Sequence, residues 1–283
     1  MELSGPAKIK VVGVGGGGGN ALNEMIRQRL HGVEFIAVNT DNNSLQYSLA
    51  DQKIQIGERL TKGMGAGGNP RKGRQAALED IEKLKDAVSG ADMVVIVAGM
   101  GGGTGTGAAP VIAQVAKEIG VLTVGVVSLP FSFEGKSRFQ KAKTGIDNML
   151  THSNSVVVIS CDECVQDPAG KKTFLTMLME ADTALCSAVR GITDLITPEG
   201  LLGIDFADVN AILRSQGGLC LMAEGKGAGG LRAHDAAVAA IAAGLEVVDD
   251  DGGMENVSPR NTGWRDYEES DFIFDEEDDP CPA

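Results

Sequence analysis

Met93-Val94-Val95-Ile96-Val97, then Gly101-Gly102-Gly103-Thr104-Gly105-Thr106-Gly107, then Ala108-Ala109-Pro110-Val111-Ile112, is the stretch that decides the fold. An unbroken apolar run, β-branched from Val94 to Val97, reads as a strand buried on both faces, and the apolar residues after the glycines read as the start of a helix. Five glycines in the seven loop residues let several backbone N–H groups converge on one anion at a helix N-terminus, whose dipole already favours negative charge. The two threonines add hydroxyls at fixed spacing. Strand, loop and helix in this order predict a phosphate-binding loop; a Gly-rich hinge is the blander alternative.

Outward from that unit the same alternation recurs. Lys8 to Val14 predicts a strand running into Gly15 to Gly19 and a helix from Asn20 to about Arg29. Glu34 to Asp41, Leu122 to Val127 and Ser155 to Ile159 predict further strands, with helices near Gln75 to Ser89 and Ala109 to Ile119. Strand alternating with helix predicts an α/β fold, a parallel Rossmann-like sheet covered on both faces. From Lys171 to Ile196, Phe174, Leu178, Ala181, Leu185, Val189, Ile192 and Ile196 recur at helical spacing and predict one long helix, stopped by Pro198-Glu199-Gly200. Phe206 to Ser215 and Arg232 to Leu245 predict two more.

At 283 residues, 43% of them apolar, the chain can bury a sizeable core. Its apolar runs are short and broken by glycine, and Met1 to Pro6 lacks the basic and apolar parts of a signal peptide, so a soluble cytoplasmic protein is expected. Five cysteines form an odd set without framework spacing, which predicts reduced thiols. Cys161 and Cys164 make a CxxC pair, but no second pair follows and the chain has only three histidines, so buried thiols are expected rather than a zinc or redox site. The net charge of −14 is concentrated at one end: Asp249 to Ala283 carries 13 acidic and 2 basic residues, against 26 and 23 over residues 1 to 248. That balance disfavours nucleic acid and anionic membranes as partners. The acidic, Gly- and Pro-bearing tail is expected to be disordered alone and is read first as a solvated tail, with a short docking peptide built on its few aromatics, from Trp264 to Phe274, as the lesser alternative.

Gly13, Gly15 and Gly18 match GxGxxG, the opening of a dinucleotide-binding fold in which Asp41 would hold a ribose. A nicotinamide-binding oxidoreductase has no use for a second cradle, whereas two cradles suit a run of phosphates held from both sides. Gly135-Lys136-Ser137 looks like the end of a Walker loop, but Pro130 stands where that motif needs its first glycine.

These paired loops resemble the glycine signatures of the tubulin and FtsZ superfamily of GTPases, over about residues 8 to 245, and their wording is closest to the FtsZ branch. The resemblance implies that Gly16, Gly17, Gly18, Gly19 and Asn20 contact the α and β phosphates of GTP or GDP. It implies that Gly102, Gly103, Thr104, Gly105, Thr106 and Gly107 grip the β and γ phosphates, and that Gly67-Gly68-Asn69-Pro70 senses the γ phosphate, with Gly68 where the family has Ala. Asn39, Thr40 and Asp41 match the loop near the phosphates and Mg²⁺, although no side chains are assigned as a metal site. None of these loops supplies a lysine, so phosphate charge must be met by N–H groups, helix dipoles and Mg²⁺. Glu134 and Arg138 match the ribose-side loop; taken alone, they would be a surface ion pair.

Asp182 matches the carboxylate that selects guanine. Leu178 and Cys161 replace the family's stacking phenylalanine and base-contacting asparagine, each change costing about 0.5 to 1.5 kcal/mol, so GTP affinity below that of an ordinary member is expected. Asp205 and Asp208 match the catalytic carboxylates that one subunit lends to the next; by themselves they would be N-cap and first-turn acids worth about 1 kcal/mol. Gly203 stands in place of an asparagine beside them.

The implied organisation is a GTP-binding domain at 1 to 170, a connecting helix at 171 to 197, a synergy loop with a remnant of the second domain at 198 to 248, and the acidic tail at 249 to 283. The implied function is a cytoskeletal GTPase of bacterial cell division or a related filament, assembling head to tail with itself or a full-length relative, alongside other division proteins, in the cytoplasm or at the division site. The alternative is a non-hydrolysing regulator that co-assembles with or caps such a relative.

Overall fold

In the computed structural model, residues 7–164, 172–196, 206–215, 218–219 and 227–245 are described. In chain order they form β1 (Ile9–Val14), α1 (Gly15–Arg27), β2 (Val33–Asn39), α2 (Asn42–Gln46), β3 (Gln52–Gln55), α3 (Glu58–Thr61), α4 (Pro70–Glu79), α5 (Ile81–Val88), β4 (Met93–Gly99) and α6 (Thr104–Glu118). Then come β5 (Leu122–Leu129), a 3-10 turn at Ser132–Glu134, α7 (Lys136–His152), β6 (Ser155–Ser160), α8 (Cys161–Cys164), α9 (Phe174–Ile196), α10 (Phe206–Ser215), β7 (Gly218–Leu219) and α11 (Arg232–Leu245).

The seven strands make one parallel sheet in the order β3-β2-β1-β4-β5-β6-β7. From β1 the chain winds outward through β2 and β3, then returns to β4 and winds the other way. The order therefore reverses between β1 and β4, which pair in register from Ile9 opposite Met93 to Val14 opposite Ala98. A parallel sheet of this kind leaves a crevice outside the carboxyl ends of its strands at such a reversal. Both glycine loops leave from there.

Strand residues alternate between two cores. Val12, Val14, Val94, Ile96 and Ala98 pack with Ala76, Leu84, Ile112, Ile146 and Met149 of α4 to α7. Ile9, Val11, Met93, Val95 and Val97 face Ala21, Leu22 and Met25 of α1 and Leu185, Val189 and Ile192 of α9. Of the apolar stripe expected on the long helix, Ala181, Leu185, Val189 and Ile192 are buried, whereas Phe174 and Leu178 near its start are exposed. Among the described residues, no helix is long and apolar enough to cross a membrane.

Several boundaries differ from expectation. Two helices begin inside the glycines: α1 at Gly15 and α6 at Thr104, rather than at Asn20 and Ala109. The helix expected over Gln75 to Ser89 is two helices, parted at Asp80 (φ −114°, ψ 31°). The Asp80 carboxylate accepts from Gly57 N–H at 2.7 Å and pairs with Lys83 at 2.6 Å, a side-chain engagement that competes with helix continuation. The seventeen-residue α7 begins within the stretch matched to the ribose-side loop and continues where no element was expected, because its first turns are polar and its apolar residues are spread thinly. Truncating Ile96, fully buried at the sheet centre, tests the core: Ile96→Ala is expected to cost about 2 to 5 kcal/mol in chemical denaturation.

Candidate functional site

α1 and α6 start side by side with no side-chain cap. By contrast, Asp41 caps α2 and Asn69 caps α4 through Arg71 N–H at 3.0 Å and Lys72 N–H at 3.4 Å. Uncapped first-turn N–H groups carry the positive end of the helix dipole and need an acceptor. Gly15 adopts φ +73°, and a Cβ there would lie 2.9 Å from the Gly105 nitrogen. Only a glycine lets the two helix starts approach so closely. Around the opening, a Cβ at Gly16, Gly67, Gly68 or Gly102 would meet no atom within 4 Å; it would project into open space.

That space is a cavity of about 310 Å³, at the lower end of the size range of small-molecule sites. At one end it is lined by Gly16, Gly17, Asn20, Gly68, Gly102, Gly103, Thr104 and Gly105, and at the other by Phe131, Glu134, Arg138, Cys161, Leu178 and Asp182. No lysine lines it, and Arg138 is its one cation, paired to Glu134 at 2.8 Å. Glu134 also accepts from Phe131 N–H at 2.9 Å. The polar end offers main-chain amides and hydroxyls. The other end offers the apolar side chains of Phe131 and Leu178, the Asp182 carboxylate and the paired Glu134 and Arg138.

Several expected site residues do not line this cavity. Gly18 and Gly107 are packed against the backbone carbonyls of Val97 and Pro70. Thr106 accepts from Gly101 N–H at 2.9 Å, which closes the loop on itself. Gly19 lines a smaller neighbouring cavity with Asn20 and Asn39, and the Asn69 side chain is engaged as the α4 cap. Thr40 is buried, its hydroxyl 2.6 Å from that of Thr104, and Asp41 accepts from Asn43 N–H and the Ser44 hydroxyl.

Sequence reasoning missed Asp162, which receives the Ser132 N–H at 2.9 Å and its hydroxyl at 3.4 Å. It thereby ties the loop of Glu134 and Arg138 to the end of β6; burial raises its pKa, against the hydrogen bonds from Ser132. Phe131, stacked on Phe133 with ring centroids 5.0 Å apart, was quoted only as part of that loop. An aromatic in a Pro-Phe-Ser-Phe run after a parallel strand was the available signal.

Asp208 lies elsewhere. Exposed in the first turn of α10, it belongs to a helix whose Phe206 and Arg214 border Gly90, Asp92, Gly120 and Val121, the residues that enter β4 and β5. The Arg214 guanidinium donates to Gly120 O at 2.9 Å, and the Ser155 hydroxyl at the start of β6 donates to Leu213 O at 3.0 Å. This is the amino end of the sheet, the pole opposite the cavity. Asp205 and Gly203 lie outside the described residues. The described residues contain no group of three or more His, Cys, Asp or Glu placed to hold a metal.

The doubly wound sheet and the two uncapped helix starts that meet at its switch point define an α/β domain with an open, lysine-free cavity at the carboxyl ends of its strands. Residues 8–166 match the family described as Tubulin/FtsZ family, GTPase domain, and the chain belongs to that family. It is 49% identical over 245 residues to the cell division protein FtsZ of Buchnera aphidicola subsp. Schizaphis graminum, an alignment covering 87% of this chain and 64% of that protein. The chain thus spans somewhat under two thirds of that relative's length. Among solved structures it is similar to an empty FtsZ dimer of M. jannaschii (42% identity, TM-score 0.81, 88% of this chain and 72% of that one). It is also similar to CetZ2 of Haloferax volcanii as a GTPγS-bound protofilament (26% identity, TM-score 0.65, 75% and 64%). This membership removes the ground for the nicotinamide reading.

Burial pushes the Asp182 carboxyl up to about 7, with Glu24 adding to the shift and Arg27 opposing it. A carboxylate with a raised folded-state pKa keeps its proton in the folded chain while losing it in the unfolded one. Stability therefore falls as pH rises from about 4 to about 7, with no further loss above that range. Asp182→Asn is expected to remove this component, so the melting temperature of the variant gains on that of the parent across that interval.

Proposed function

We propose that the chain binds GTP in this cavity and hydrolyses it to GDP and phosphate, with carboxylates lent by the next subunit of a head-to-tail filament, in bacterial cell division or a related filament. The observation that carries this reading is the separation of the parts: the cradle at the carboxyl pole of the sheet, and Asp208 at the amino pole. One molecule cannot bring the two together. A second copy stacked pole to pole can.

In this reading the uncapped N–H groups of α1 and α6, with Asn20 and Thr104, hold the phosphates. Glu134 receives sugar hydroxyls, and Arg138 adds the one positive side chain. Ionised Asp182 accepts from the two donors on one edge of guanine, so affinity strengthens as pH rises through about 7. A Mg²⁺ ion fits the donor set only as a guest of the phosphates, since magnesium keeps several waters and takes few protein ligands; when bound it neutralises charge on phosphate oxygens. Asp208, with Asp205, orients the water that takes the terminal phosphoryl group, and positioning supplies most of the rate. The cytoplasm and a filament of this chain or a relative are the setting this implies.

Turnover per molecule is expected to rise with protein concentration, and Asp208→Ala to abolish it while GTP binding, read by titration calorimetry, stays unchanged. Turnover independent of concentration would overturn the shared site. No turnover at any concentration, with GTP still bound, would favour the alternative of a non-hydrolysing regulator that co-assembles with or caps a relative. Leu178 borders the cavity while 38% exposed, so a ring fits there. Leu178→Phe is expected to tighten GTP binding about two- to tenfold, the range that about 0.5 to 1.5 kcal/mol of stacking gives.

A further inference from the structure

A second opening, a groove of about 680 Å³, runs from the Gly67–Asn69 loop down between α4, α6 and α7. Its charged lining is Arg71, Arg74 and Lys141, with the His152 imidazole beyond, and no Asp or Glu is among its lining residues. Arg71 and Arg74 are exposed, and among the described residues neither guanidinium has an ion-pair or hydrogen-bond partner. The Lys141 ammonium donates to Gly68 O at 3.1 Å. Pro110 and Val111 give the groove an apolar floor. A strip of cations without carboxylates stands out in a body where acids outnumber bases, 26 to 23 over residues 1 to 248.

We propose that this groove seats the chain's own acidic tail, residues 249 to 283. The tail is the complement of the groove in both charge and apolarity. Residues 264 to 279 alone hold nine acids among Trp264, Tyr267, Phe272, Ile273 and Phe274. Carboxylates meet the two free guanidinium forks, and rings lie on the apolar floor or stack on arginine. Reach does not limit the contact. The 38 residues after Leu245 can extend about 125 Å, against a radius of gyration near 18 Å for a body of this size. The tether supplies an effective concentration in the millimolar range, enough for a weak, salt-sensitive contact within one molecule.

Trp264 is the only tryptophan in the chain and reports on the tail in the intact protein without a label. At low salt and without nucleotide, its emission should be shifted to the blue, and its quenching by acrylamide reduced, relative to a synthetic peptide of residues 249 to 283. Added salt and the double change Arg71→Glu/Arg74→Glu should each return both quantities to the peptide's values, with the far-UV circular dichroism of the double variant unchanged. If that variant does not fold, Lys141→Glu serves in its place and should weaken the shielding. Emission equal to that of the peptide in the parent chain would overturn the proposal, as would shielding that survives in the folded variants. Shielding lost on dilution of the parent would also overturn it, by moving the tail to the groove of a second copy. No step involves GTP, so the result stands apart from the proposed hydrolysis.

Discussion

Two helices meeting start to start is the constraint on which the rest of this structure depends. The positive ends of α1 and α6 lie against each other with neither capped by a side chain, an arrangement that is unfavourable until a negative charge sits between them. The contact leaves the glycines no room for a side chain: a Cβ at Gly15 would lie 2.9 Å from the Gly105 nitrogen, and one at Gly17 3.3 Å from the Cα of Gly99. The glycines thus act twice. They bring two sets of amides within reach of one ligand, and they leave the chain no side chain with which to neutralise those amides itself.

The sheet sets where this meeting occurs. β1 and β4 are neighbours because the strand order reverses between them, and their following loops are forced to the same point in space. β5 and β6 then carry Glu134, Arg138 and Cys161 to the far side of the opening, and α9, packed across the second core through Leu185 and Val189, delivers Leu178 and Asp182. Each element reaches the cavity from the carboxyl end of a strand or from a helix laid across the sheet. The chemistry of the rim is therefore tied to the winding of the chain, and a shift in the packing of α9 would move the carboxylate relative to the amides.

Much of this was legible in the sequence, for physical reasons that can be named. Val94 to Val97 and Val11 to Val12 read as strands because a parallel sheet buries both faces, and the glycine loops read as cradles because strand and helix flank them. The start of α1 inside five glycines was not legible: intrinsic propensity argues against helix there, and the contact with Gly105 and Gly99 that imposes it is tertiary. Short, polar β3, Gln52–Gln55, carries no alternation long enough to announce an edge strand. The environment of Asp182 could not be read either, since burial comes from the helix's neighbours and not from its own residues. Nor could spacing alone reveal that Thr106 turns inward to Gly101, or that Asn69 spends its side chain on α4.

The placement of α10 at the amino end of the strands, opposite the cradle, gives the molecule two unlike tips. Any row in which the tip of one copy fits the base of the next is built from a heterologous contact, which does not close on itself unless the rotation happens to make a ring. Such a row has a direction. Its two extremities would offer different chemistry to solvent, one an open cradle and the other the exposed Asp208 of α10, so growth and loss at the two extremities need not proceed at the same rate.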